Sequence, residues 1–186
     1  MSPKTIVITG GFGYIGGRIA QKFAENGLHV RISTRRELHR IPAWAIENPM
    51  VSWGHHLGEL CQGADAVIHL AAPNEIFATN HPQQSIDETV ALTQEALDVA
   101  VQSNVHRFIY FSTIHVYGAP LQGRYNEKTK PLPAHPYAVA HYQSEQMVNA
   151  AHTAGFQTLV LRLSNGFGAP ADTFVDRWTL LVSDLC

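Results

Sequence analysis

The chain is short of cysteine, of charge and of long apolar runs, and each shortage removes a class of protein. Two cysteines, Cys61 and Cys186, form neither a disulfide framework nor a metal-ligand spacing. A reducing cytoplasm is the expected location. Charged residues make up 15% of the chain and the formal net charge is −2, so there is no basic field to hold nucleic acid or an anionic membrane. No apolar stretch reaches transmembrane length, and the opening Met1-Ser2-Pro3-Lys4 lacks the apolar segment of a signal peptide. Eleven histidines are many, but they are scattered, and His55-His56 is the one adjacent pair. Without carboxylates or cysteines at ligand spacing, no metal site is expected. Internal repeats and low-complexity tracts are missing too. What is there fits an ordinary soluble globular protein: 186 residues, 45% apolar, enough for one sizeable core.

The most informative stretch is Thr9-Gly10-Gly11-Phe12-Gly13-Tyr14-Ile15-Gly16-Gly17. Before it, Thr5-Ile6-Val7-Ile8 is a short β-branched run that reads as a buried parallel strand. After it, Ile15, Ile19, Ala20 and Phe23 recur at helical spacing up to a stop at Asn26-Gly27. The glycines therefore sit on a strand-to-helix turn, and Gly11, Gly13 and Gly16 satisfy G-x-G-x-x-G. Gly10, Gly13 and Gly16 also satisfy G-x-x-G-x-x-G. Such glycines permit a tight turn and let backbone approach a pyrophosphate, while the helix start offers free N–H groups to the anion. The competing reading is an ordinary glycine-rich turn. The flanking strand and helix favour a dinucleotide held by Gly10, Gly11, Phe12, Gly13, Tyr14, Ile15 and Gly16.

Leu28 to Ser33 reads as a second strand, followed by Thr34-Arg35-Arg36-Glu37. At the end of strand two an acid binds the ribose 2′-hydroxyl of NAD, and an arginine accommodates the 2′-phosphate of NADP. With no acid before Glu37, Thr34, Arg35 and Arg36 favour NADP over NAD; the alternative is a solvated basic turn. From Ile41 to Gly63 the pattern is poor, with a short strand expected at Met50–Trp53 and a short helix at His56–Cys61. Asp65 to Ala72 is a buried strand, and the small residues after Leu70, Ala71 and Ala72, leave room for a flat ligand. Pro73 to Gln84 reads as loop. Ser85 is expected to cap a long helix, with Ile86, Val90, Leu97 and Val101 on one face.

His106 to Phe111 is a further strand that delivers Ser112-Thr113 to its carboxyl end. Gly118 to Pro136 carries four prolines and two glycines, which make it loop. A helix begins near Pro136, where proline suits a first helical position, and runs through Tyr137, His141, Glu145 and Val148 towards Gly155. Gln157 to Leu163 is the last strand, ending in the turn-rich Ser164-Asn165-Gly166-Phe167-Gly168. Strands alternating with helices predict a Rossmann-like doubly wound parallel sheet, a three-layer α/β/α fold. Tyr137 and His141, four apart, share one helix face. Thr113 ends a strand at the edge where open α/β sheets bind ligands. A hydroxyl and a tyrosine converging there suit proton transfer coupled to hydride transfer at a carbon–oxygen bond. From spacing alone, Tyr137 could equally be a packing residue at a helix start.

Thr9–Gly17, Asp65–Ala72, Phe111-Ser112-Thr113-Ile114-His115-Val116-Tyr117-Gly118, Pro136-Tyr137-Ala138 and Leu161-Arg162-Leu163-Ser164-Asn165 occur in an order that resembles the extended short-chain dehydrogenase/reductase family. Within it the likeness is to the NAD(P)-dependent sugar-nucleotide epimerases and dehydratases. The resemblance implies hydride transfer on a nucleotide-sugar-like substrate, with Tyr137 as general acid/base beside the nicotinamide. It implies that Thr113 bonds the substrate oxygen, with His115 and Asn165 also at the substrate, and that position 141 serves both cofactor and catalysis.

Three departures from that pattern matter. The Tyr-x-x-x-Lys motif here reads Tyr137-Ala138-Val139-Ala140-His141. The family's lysine binds the nicotinamide ribose and favours the tyrosinate, whereas a histidine near 6.5 is mostly neutral at pH 7. After Trp53, where relatives offer an aspartate to the adenine, the chain has Gly54-His55-His56. Thirdly, relatives continue into a C-terminal region that holds most of the sugar-nucleotide site. Residues 1–170 are thus expected to form the dinucleotide domain and 171–186 the start of a truncated substrate region, in an expressed fragment or a short reading frame. A helix with Phe174, Trp178, Leu181, Val182 and Leu185 on one side would need a partner, and a homodimer is compatible with the sequence. Ile114-His115 replaces the Asp-Glu that follows the Ser/Thr in the family's dehydratases, which favours epimerase or reductase. The readings from other classes are a non-catalytic dinucleotide-binding protein and a reductase of small carbonyls.

Overall fold

The computed structural model describes residues 4–175. Six parallel strands form one sheet: β1 (Thr5–Thr9), β2 (His29–Ser33), β3 (Val51–Gly54), β4 (Ala66–His69), β5 (Arg107–Thr113) and β6 (Gln157–Leu163), in the order β3-β2-β1-β4-β5-β6. The order reverses between β1 and β4, whose registers pair Ile8 with Ile68 and Thr9 with His69. That reversal opens the crevice where doubly wound sheets take their ligands. The expected fold class is the one observed.

The central strands β1 and β4 are nearly continuous apolar runs because both faces of the sheet are covered there. Ile6, Ile8, Val30, Ile32 and Ile68 pack on one face with Ala20 and Ala24 of α1 (Tyr14–Glu25) and Ala45 of α2 (Ala43–Ile46). Val7, Val67, Phe108 and Tyr110 pack on the other. They meet Cys61 of α3 (Leu57–Cys61), Ala96, Leu97 and Ala100 of α5 (Pro82–Gln102), and Val148 of α6 (Pro136–Ala150). The alternation of Ile6, Val7 and Ile8 between two cores is the period-two rule of a strand at work.

Three local expectations need correction. Pro73 to Gln84 is not all loop: α4 (Glu75–Asn80) forms inside it, capped by the Asn74 side chain, which accepts from the Phe77 N–H at 2.9 Å. Ser85 does not cap α5. That helix starts at Pro82, a residue suited to a first turn where its missing N–H costs nothing, and Ser85 lies buried inside it. The inner face of α5 is Ser85, Thr89, Thr93, Ala96, Leu97 and Ala100, while Val101 is exposed. Small residues let α5 sit close to α6, so apolar periodicity misplaced its face. The helix expected around Phe174, Trp178, Leu181, Val182 and Leu185 lies largely outside the described residues, and Phe174 sits in an exposed turn. Among the described residues no helix is long and apolar enough to cross a membrane.

Candidate functional site

The glycine turn joins β1 to α1 by the tightest backbone approach in the site. Gly10 has φ +69°, and a Cβ there would meet the Leu70 carbonyl carbon and Ala71 nitrogen at 3.0 Å. A Cβ on Gly16 would overlap the carbonyl oxygen of Gly10 and lie 2.9 Å from Gly11 Cα. Both positions require glycine for steric reasons. No side chain caps α1 at Gly13, and its first turn holds no acid. Its amino end is therefore free to receive an anion.

A cavity of about 680 Å³ opens over this turn at the carboxyl ends of the strands. Gly10, Gly13, Tyr14, Ile15, Gly16, Arg36, Leu70 and Ala72 line it, as do Thr113, His115, Tyr137, His141 and Asn165. Most of the residues anticipated from the sequence thus converge. Gly11, Phe12, Thr34, Arg35 and Ala71 are not among the lining residues. Phe12 turns into the core, edge-on to Trp44, and Arg35 is exposed. Glu75 and Asn74 of the unanticipated α4 also reach the cavity.

Helix α6 positions the candidate chemistry. His135 caps it by accepting from the Ala138 N–H at 3.3 Å, and Pro136 occupies its first turn. Tyr137, His141 and Glu145 then follow one another at intervals of four on the face turned to the sheet. The Tyr137 and His141 rings meet edge-on, centroids 4.4 Å apart. Thr113 accepts from the His115 N–H at 3.2 Å, which leaves its own hydroxyl proton to donate.

His141 is 5% exposed, and burial pushes its pKa down to about 4; Glu75 pulls the other way and His115 adds a smaller depression. It is neutral at pH 7. Nδ1 lies 2.7 Å from the Tyr110 hydroxyl, and Nε2 has no hydrogen-bond partner among the described residues. His69 is also buried, with its pKa pushed to about 3 by burial and then by His141. It joins Thr9 Oγ1 at 2.7 Å through Nδ1 and Thr93 Oγ1 at 3.4 Å through Nε2. Beneath Tyr137 a second polar knot holds β5, α6 and β6 together. The Glu145 carboxylate, 1% exposed, accepts three bonds from Arg162 and one from the Ser112 hydroxyl. Arg162 also donates to the Tyr117 hydroxyl at 3.0 Å and lies over that ring.

Residues after β6 fold back over the glycine turn. The Tyr14 hydroxyl donates to the Gly168 carbonyl at 2.7 Å. Arg36 donates to Asp172 at 2.5 Å and to the Phe12 carbonyl at 2.9 Å. Asp172, Tyr110 and Glu75 escaped the sequence reading because nothing local marks them. Among the described residues no three histidines, cysteines or carboxylates are placed to hold a metal.

A family model described as the NAD dependent epimerase/dehydratase family matches residues 6–182. The dTDP-glucose 4,6-dehydratase of Streptomyces niveus is 26% identical over 185 residues, which cover 88% of this chain and 54% of that protein. The UDP-glucose 4-epimerase of Azospirillum brasilense is 26% identical over 179 residues, 90% of this chain and 50% of its own length. Among solved structures, the dTDP-glucose 4,6-dehydratase of Streptomyces venezuelae with NAD bound is 25% identical, with a TM-score of 0.78 over 88% of this chain and 56% of that one. The chain spans about half the length of the curated relatives it matches.

Proposed function

This chain belongs to the NAD dependent epimerase/dehydratase family, and from that premise we propose that it carries the dinucleotide-binding half of an oxidoreductase or epimerase acting on a nucleotide sugar. The observation that carries the reading is the single cavity shared by the glycine turn, Thr113, Tyr137 and His141. The residues fit a dinucleotide: at Gly10 and Gly16 a Cβ would press on neighbouring backbone, so the turn stays bare for close approach, and His141 Nε2 has no partner among the described residues. When bound, the nicotinamide supplies a hydride acceptor and donor. Gly10, Gly13, Gly16 and the amino end of α1 are the residues that would hold the pyrophosphate.

Thr113 orients the substrate oxygen by donating its hydroxyl proton. Tyr137 exchanges a proton with that oxygen, as acid when a carbonyl is reduced and as base when an alcohol is oxidised. Bringing a tyrosine from about 10 to about 7 requires roughly 4 kcal/mol of differential stabilisation. A neutral His141 contributes no charge to that, so the site suits Tyr137 better as an acid than as a base at pH 7. This favours reduction of a carbonyl within the reading, and keeps a small-carbonyl reductase as the second one.

The cofactor reading extends to NADP. Arg35 is exposed and Arg36 reaches the cavity, and charge-assisted bonds favour a 2′-phosphate. A phosphate would have to take Arg36 from Asp172. The test is a longer polypeptide that continues past residue 186, offered nucleotide sugars and simple ketones with each cofactor. Turnover of nucleotide sugars that is lost in Tyr137→Phe is expected. Binding of dinucleotide without turnover of any substrate would support a non-catalytic module instead.

A further inference from the structure

We propose that Tyr110 is a positioning residue whose hydroxyl fixes His141 as the Nε2–H tautomer, so that position 141 offers the cavity an N–H donor. The inference deepens the oxidoreductase reading and rests on it for its functional consequence. Tyr110 stands on β5, 1% exposed, with its oxygen 2.7 Å from His141 Nδ1. The Ser144 hydroxyl bonds the same phenol oxygen from α6, filling its acceptor side. Its proton then goes to Nδ1, and a neutral imidazole that accepts at Nδ1 carries its hydrogen on Nε2.

The hydroxyls behind Tyr110 point the same way. The Thr9 oxygen accepts from the Leu70 and Ala71 N–H groups at 3.3 Å each, so its proton goes to His69 Nδ1. His69 therefore donates from Nε2 to Thr93, whose own proton goes to the Thr89 carbonyl at 2.8 Å. This chain of contacts ends at His141 Nε2, a buried donor without a partner among the described residues, on a ring that lines the cavity. A donor left open in an otherwise satisfied network calls for an acceptor. A sugar hydroxyl or carbonyl oxygen of a bound ligand meets that need.

The groups facing His141 are Tyr110 from β5, His69 from β4, Tyr137 one turn earlier on α6, Glu75 from α4 and His115 after β5. Of these, Glu75 alone favours the imidazolium.

The experiment is long-range proton–nitrogen NMR of the whole chain labelled with nitrogen-15 histidine, His141 being assigned by the signal lost in His141→Gln. The expected native pattern is a single Nε2–H tautomer from pH 5.5 to 8. Tyr110→Phe should give a mixture of tautomers and reduce dinucleotide affinity about tenfold, while His69 keeps its native pattern. An Nδ1–H tautomer or an imidazolium in the native chain at pH 7 overturns the proposal, whatever becomes of the variant. So does a Tyr110→Phe spectrum in which His141 is unchanged. If the native chain shows the Nε2–H tautomer but binds neither NAD nor NADP, the tautomer assignment stands and the oxidoreductase reading fails.

Discussion

Arg36 and Asp172, 136 positions apart, are joined by a 2.5 Å ion pair that ties the segment after β6 to the turn after β2. Arg36 is one of the two arginines on which a preference for NADP rests, and Asp172 competes for it. Replacing Asp172 by Asn removes the competing charge and leaves the size alone. The ratio of NADP to NAD affinity should then rise about tenfold, the worth of one charge-assisted hydrogen bond. Calorimetry with both cofactors on native and Asp172→Asn proteins checks this. An unchanged ratio would show that Arg36 does not meet the 2′ position.

The Glu145–Arg162 pair holds the sheet edge under Tyr137. Arg162→Met leaves a carboxylate that is 1% exposed with only the Ser112 hydroxyl for company. Breaking a buried pair from one side costs about 3–5 kcal/mol, and replacing both partners with apolar residues costs far less. Urea denaturation of Arg162→Met and of Arg162→Met with Glu145→Leu should therefore rank the double variant as the more stable. The opposite order would mean that the two residues act independently.

Stability should fall with acid through two histidines. His69 and His141 have folded pKa values of about 3 and about 4, below the 6.5 of an exposed imidazole. Between those limits the unfolded chain binds protons that the folded chain refuses, so their contribution is intact above pH 6.5 and is lost as pH falls towards 4. Each histidine adds a slope of about 1.4 kcal/mol per pH unit in that window. Urea midpoints measured from pH 7 to 4.5 should decline steeply, and His141→Gln should flatten the decline. A flat native profile would contradict the burial of both rings.

The sheet and the glycine turn were legible because they depend on local signals: β-branched runs, helical spacing and Gly10, Gly13 and Gly16. Tyr137 and His141 were legible as neighbours because a helix puts residues four apart side by side. Helix α4 was hidden by Asn74, Asn80, His81 and Pro82, residues that punctuate loops but here cap one helix and start another. The inner face of α5 was hidden because it is built of Ser85, Thr89 and Thr93 rather than large apolar side chains. The partners Tyr110–His141, Glu145–Arg162 and Arg36–Asp172 depend on tertiary distance, which no spacing along the chain encodes. Five anticipated contacts, Gly11, Phe12, Thr34, Arg35 and Ala71, flank the cavity without lining it.

The most direct measurement is a calorimetric titration of the 186-residue chain with NAD and with NADP, repeated on Gly16→Ala. The account predicts one dinucleotide bound per chain, and at least a tenfold loss in Gly16→Ala because the new methyl overlaps the Gly10 carbonyl. Absence of binding by the folded native chain, or binding that Gly16→Ala leaves untouched, would contradict it.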